Sequence, residues 1–154
     1  MKKREENWGD KVYFTHHGQL MEKFDHRALN LNQNTKIIFI AMTKHVSYFK
    51  RHAVKYVLEQ WFTPISQFGI FDYFLTDAID RDLVRRWNNN LIRVSDEMWV
   101  FWPISDGVLA EIKMVKEAGK PIKYFKIVKS LDIQEITKDE VEFEDDLEKY
   151  KNEL

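Results

Sequence analysis

The segment Ser95–Phe125, SDEMWVFWPISDGVLAEIKMVKEAGKPIKYF, decides how this chain is read. Met98, Trp99, Val100, Phe101 and Trp102 form an unbroken apolar run, too short for a globular helix and typical of a strand covered on both faces. Pro103 stops it. Ser105 then stands at a helix start, and Val108, Ile112 and Val115 recur at helical spacing toward Ala118. Gly119 is a natural helix end and Pro121 prevents continuation. Ile122–Val128 then reads as the next strand. Strand, crossover helix, strand in this order is a parallel βαβ unit.

Upstream the same alternation continues. Ile37-Ile38-Phe39-Ile40-Ala41-Met42 reads as a second doubly covered strand, and Thr43–Gln60 carries Val46, Phe49, Ala53 and Val57 at helical spacing. Pro64 makes the Phe62–Ile65 stretch irregular or an edge strand. The run from Gly69 to Thr76, GIFDYFLT, is an aromatic loop. Ile79, Leu83, Trp87, Leu91 and Val94 mark another helix, with an apolar stripe of the kind that faces a core. The expected architecture is a three-layer α/β fold of the Rossmann or flavodoxin-like kind, with a small, mostly parallel sheet. Residues 36–130 form that domain. Residues 1–35 are an N-terminal extension packed against it, with short strands at Val12–Phe14 and Ala28–Leu31. Residues 131–154, ending EFEDDLEKYKNEL, are an acidic tail expected as a surface helix or frayed chain.

Composition removes several classes of function. The 24 basic and 25 acidic side chains give a net charge of −1, without the basic excess of a protein that binds polymeric nucleic acid. The absence of Cys removes disulfides, thiolate catalysis and cysteine-ligated zinc. No stretch approaches the roughly 18 apolar residues of a membrane helix, and no apolar run follows the basic start, so a cytoplasmic protein without a membrane partner is expected. Neither a P-loop, nor a G-x-G-x-x-G turn, nor a G-x-S-x-G elbow occurs. His16, His17 and His26 lack the spacing of a metal site and read as surface residues; neither a metal nor a cofactor is expected.

In open α/β sheets ligands bind beyond the carboxyl ends of the strands. Two loops meet that description: Thr43–His45 and Pro103–Gly107. The Ser105 hydroxyl and the N–H groups behind it can hold an anion at the helix start. Gly107 leaves the backbone open to close approach, and Glu111 lies one turn further along, stacked over Gly107 on the same helix face. Val108, Ile112 and Val115 take the other, buried face, so the Glu111 carboxylate is aimed at the polar mouth of the sheet. Ser-Asp-Gly is also a common helix start, and a glutamate one turn into a helix is commonly no more than a solvated side chain.

The Ser95–Phe125 stretch resembles the core of the nucleoside 2-deoxyribosyltransferase-like superfamily. The resemblance rests on Asp96 before the strand, then Ser105, Gly107 and Glu111, then Lys120-Pro121 leading into the next strand. The Ser-x-Gly-Val-x-x-Glu spacing is most similar to the 2′-deoxynucleoside 5′-phosphate N-hydrolases, in which the serine contacts the 5′-phosphate. The resemblance implies an enzyme that cleaves the base–sugar bond of a nucleoside or its 5′-monophosphate, with Glu111 as nucleophile. It implies substrate contacts from Ser105, Asp106, Gly107, Thr43 and His45, base stacking on Phe71 and Tyr73, and a homo-oligomer. It departs from the family at Asn88, where an aspartate is usual: an amide binds but does not shuttle protons near neutral pH. Asp72, Asp77, Asp80 and Asp106 are the carboxylates available to substitute, and Trp102 is a bulky residue at a strand end where it can fill part of the pocket. A pocket that binds nucleotides without catalysis, or an interaction protein with an aromatic surface, are the competing readings.

Overall fold

A computed structural model describes residues 12–14, 20–22, 24–31, 34–70, 78–128 and 132–154. The chain divides into two compact units, Met1–Asn34 and Thr35–Leu154. In the first, β1 (Val12–Phe14) pairs antiparallel with β2 (Leu20–Glu22). The strand expected at Ala28–Leu31 is instead a single 3-10 turn, Arg27–Asn30, whose start is capped by the His26 ring accepting from the Ala28 N–H. Such local capping by a ring nitrogen competes with strand formation.

The second unit is a five-stranded sheet in the order β4-β3-β5-β6-β7. Its strands are β3 (Ile37–Met42), β4 (Thr63–Ile65), β5 (Glu97–Phe101), β6 (Ile122–Ile127) and β7 (Ile133–Ile136). The β4, β3, β5 and β6 strands are mutually parallel, as expected of doubly covered apolar runs. The short β4, with Pro64 inside it, sits on the edge where a missing N–H is tolerated. Side chains alternate between two cores. Ile38, Ile40, Met42, Trp99, Phe101 and Phe125 pack with Ala53 and Val57 of α1 (Lys50–Glu59) on one face. On the other, Phe39, Ala41, Met98 and Val100 pack with Ile92 of α2 (Arg81–Val94) and with Val108, Ile112 and Val115 of α3 (Asp106–Glu117). This is the expected three-layer α/β arrangement.

Three local readings change. The helix expected over Thr43–Gln60 starts as a 3-10 segment, Lys44–Phe49, before α1 takes over. The acidic tail is not a fraying helix. Its first part is β7, antiparallel to β6, and Val141 and Leu154 bury themselves in the core beside α3. The side chains of Gln134 and Glu135 and the charges of the later 3-10 turns face outward, so a segment rich in charge still supplies a few anchors at the right spacing. Finally, of the apolar stripe expected on α2, Leu91 packs half-buried against the core while the other members are exposed. Leu83 is 57% exposed and Val94 47%, while the helix buries Asn88 and Ile92.

Two residues of the quoted segment are structural staples. The Asp96 carboxylate accepts the Ile37 N–H at 2.7 Å, tying the starts of β5 and β3. The Lys120 ammonium donates to the carbonyls of Ile92, Arg93 and Ser95 at 3.0, 2.7 and 2.6 Å, closing the C-terminal end of α2 where carbonyls otherwise lack partners.

Candidate active site

The crossover after β3 runs through α1 on one face of the sheet, and those through α2 and α3 lie on the other. The chain therefore reverses direction of winding between β3 and β5, which is where open α/β sheets form a crevice. A cleft of about 600 Å³ opens there, within the range that takes a small organic ligand. Thr43 and His45 line it from the loop after β3, and Ser105, Asp106 and Gly107 from the loop after β5. Asn88 of α2 and Glu111 of α3 line it as well. Phe71, Tyr73, Asp72 and Asp77 lie outside the described residues. Phe68, immediately before that aromatic run, does line the cleft.

At its floor the Asn88 amide donates to Glu111 Oε1 at 2.6 Å. Both side chains are buried, at 7% and 4% exposure, so the Glu111 carboxyl expected at the polar mouth of the sheet is enclosed while still lining the cleft. Positions 108, 111, 112 and 115 share one broad inward face of α3, so the carboxyl sits beside Ile112 while reaching the cleft. Burial pushes the Glu111 carboxyl up to about 7 from the ordinary 4.5, and the Asn88 hydrogen bond pulls weakly the other way. Glu111 Oε2 and Asn88 Oδ1 have no hydrogen-bond partner among the described residues.

At the start of α3 the Ser105 oxygen accepts the Val108 N–H at 3.4 Å, and Asp106 Oδ1 accepts the Gly107 N–H at 2.7 Å. Two N–H groups expected to be open to an anion are thus already engaged, and a carboxylate stands beside them. What remains at this end is the serine O–H as a donor. A Cβ placed on Gly107 would meet only Ser105 Oγ, at 3.9 Å. The fold itself does not require glycine at that position, which leaves room in the cleft as its physical consequence.

His45 Nδ1 and Glu144 Oε1 are 2.9 Å apart across the rim. Glu144 is brought there by the tail: the Ile104 N–H donates to the Glu142 carbonyl and the Glu144 N–H to the Ile104 carbonyl, both at 2.9 Å. Reading the tail as frayed concealed this residue. Lys44, Arg81, Arg85 and Gln67 also line the cleft. The spacing Arg81, Arg85, Asn88 places all three on one side of α2, and that pattern was available in the sequence. Asp80 is engaged in capping α2, accepting from the Asp82 and Leu83 N–H groups, whereas Asp106 does line the cleft. Trp102 does not line the cleft; it packs half-buried against the α3 side of the core. Among the described residues no group of three His, Asp or Glu side chains has metal-site geometry, and no helix is long and apolar enough to cross a membrane.

The fold and cleft define an α/β domain with a buried carboxyl at its winding reversal. The chain belongs to the family described as Domain of unknown function (DUF7768), which matches residues 39–125. Among solved structures, the 2-desoxiribosyltransferase from Leishmania mexicana is similar at 15% identity, over 64% of this chain and 78% of that chain, with a TM-score of 0.48. No curated protein matches.

Proposed function

We propose that the cleft binds a nucleoside or nucleoside 5′-monophosphate and that Glu111 cleaves its base–sugar bond, as an N-glycosidase or deoxyribosyltransferase-like enzyme. The observation that carries this reading is the Asn88–Glu111 pair: a buried carboxyl, held at one oxygen, on the floor of a ligand-sized cleft. In its ionised form Glu111 attacks C1′ of the sugar, the C1′–N bond breaks, and its electron pair leaves with the base, which takes a proton from solvent. Water then attacks C1′ of the glycosyl ester and gives up a proton to solvent; the C1′–O bond to Glu111 breaks, returning the carboxylate and releasing the sugar. The Asn88 amide lowers the cost of ionising Glu111 and fixes its rotamer, a positioning role rather than a proton-transfer one. The Ser105 hydroxyl with Lys44, Arg81 and Arg85 receives a phosphate, and Phe68 with Met42, Val84 and Met114 offers an apolar wall for the base. The exposed Leu83 and Val94 on α2, next to the cleft-lining residues of the same helix, support self-association through that helix.

A second reading, binding without turnover, is favoured by the amide at position 88 and by a carboxyl that is about half protonated at neutral pH. One experiment separates the two. Deoxynucleosides, nucleosides and their monophosphates are incubated with the protein and free base is followed by chromatography. The enzyme reading expects base release that Glu111→Ala abolishes. Binding without release favours the second reading, and release that survives Glu111→Ala removes the residue assignment.

A further inference from the structure

Three segments meet beside Ser105, and hydrogen bonds tie them together. The Glu144 N–H of the tail donates at 2.9 Å to the carbonyl of Ile104, the residue before Ser105. The Glu144 carboxylate, 15% exposed, lies 2.9 Å from His45 Nδ1 on the loop after β3. Ser105, Glu144 and His45 all line the cleft. An ionised carboxylate only accepts, so Nδ1 carries the hydrogen, and Nε2 of a neutral His45 is left with a lone pair. The ring is 64% exposed, and Nε2 has no hydrogen-bond partner among the described residues. Lys44, Arg81, Arg85, Asp106 and Glu111 are the other charged groups of the cleft. Arg85 is paired with Asp82, Asp106 accepts the Gly107 N–H, and Glu144 is the one within hydrogen-bond distance of the imidazole.

We propose that His45, held by Glu144, reads the 5′ position of the ligand: neutral against the 5′-hydroxyl of a nucleoside, protonated against a 5′-phosphate. This deepens the nucleotide reading, on which it rests, by saying how the cleft tells its two ligand classes apart. A bare Nε2 accepts a hydrogen bond from a hydroxyl and opposes a phosphate oxygen, which is itself an acceptor. Protonated at Nε2, the imidazolium lies between two anions and donates to both, Nδ1–H to Glu144 and Nε2–H to the phosphate. The added proton comes from the buffer, so monophosphate binding is coupled to proton uptake and nucleoside binding is not. Glu144 acts through His45 and is a positioning residue.

The test is calorimetric titration of the full chain at about pH 7.5, in two buffers of different ionisation enthalpy. At that pH an ordinary imidazole is mostly neutral and a phosphate monoester mostly dianionic. Glu111→Gln is the reference protein, because it prevents turnover and removes the Glu111 titration from the proton count. The common ribonucleoside and deoxyribonucleoside 5′-monophosphates are each set beside the matching nucleoside. For whichever base binds, the monophosphate is expected to take up a fraction of a proton, at most about one, and the nucleoside close to none. Adding His45→Gln removes the uptake and weakens the monophosphate on the order of tenfold, with the nucleoside nearly unchanged. Adding Glu144→Gln lowers both the uptake and the monophosphate-to-nucleoside affinity ratio, by less; melting curves confirm that the variants are folded. Uptake that survives His45→Gln, equal uptake with the nucleoside, or monophosphate binding without uptake overturns the subsite and leaves a nucleotide cleft in place. Unchanged uptake in the Glu144→Gln variant overturns the part given to Glu144. Absence of binding by every compound overturns the nucleotide reading and the subsite together.

Discussion

Helices α2 and α3 lie on the same face of the sheet, and they use their apolar residues in opposite ways. In α3, Val108, Ile112 and Val115 go into the core as their spacing implies. In α2 and the turn before it, the stripe residues Ile79, Leu83, Trp87 and Val94 are exposed, Leu91 is half-buried against the core, and the residues fully turned inward are Asn88 and Ile92. Periodicity tells which residues share a face; it does not tell which neighbour covers that face. The polar residue turned inward by α2 is the one that meets the polar residue buried by α3. The cleft floor is thus the place where both helices depart from a simple core.

The largest contrast is in stability. Ile112→Ala should cost about 2–5 kcal/mol in chemical denaturation, the range for emptying a packed core site. Leu83→Ala, by comparison, should stay within about 0.5 kcal/mol because its side chain is already in water. If the α2 stripe joins two copies, Leu83→Asp should also halve the mass seen by sedimentation without lowering the monomer's stability. A large loss of stability in Leu83→Ala would show that the stripe is covered within one chain, and the contrast would be gone.

The next effect belongs to the floor. The folded Glu111 carboxyl titrates at about 7 against an ordinary 4.5. The folded state therefore holds the proton where the unfolded state has lost it. Stability from this group is full below about pH 4.5, falls as the pH rises through 7, and is level above that. Glu111→Gln removes the penalty: it should stabilise the protein at pH 8 by up to roughly 3 kcal/mol and change little at pH 4. Equal effects of the substitution at both pH values would mean that the carboxyl is not desolvated in solution.

The smallest effect is at Gly107. Alanine is preferred over glycine in a helix by roughly 0.5–1 kcal/mol, and no backbone crowds the new methyl group. Gly107→Ala should leave the melting temperature level or slightly higher while weakening ligand binding or turnover on the order of tenfold by misplacing the ligand. A variant that binds or turns over normally would remove Gly107 from the site.

The fold was legible because the strands are covered on both faces: Ile38 to Met42 and Met98 to Phe101 are apolar without interruption, and Pro103 and Gly119 punctuate them. The loops beyond β3 and β5 were legible for the same reason, since strand ends locate the crevice. What was not legible is what depends on long-range packing. Nothing in the tail's composition announces that Val141 and Leu154 anchor it or that Glu144 reaches His45, a partner 99 residues away. Nor does the local sequence show that Asp96 and Lys120 act on backbone groups of other elements. They stood in the same motif as Ser105 and Glu111, yet they hold the scaffold while the latter two line the cleft.

The pairing of Ile104 with the Glu142–Glu144 segment sets an order of events on the ribosome. Every strand of the parallel sheet is complete once Ile127 has emerged, and its central pairings involve nothing later in the chain. The rim residue Glu144 and the strand β7 that leads to it are translated afterwards. At elongation rates of roughly 5–20 residues per second, the scaffold has on the order of one second to assemble before the last wall of the cleft exists. Maturation of the cleft is therefore a late event of synthesis, separable in time from formation of the sheet that carries it.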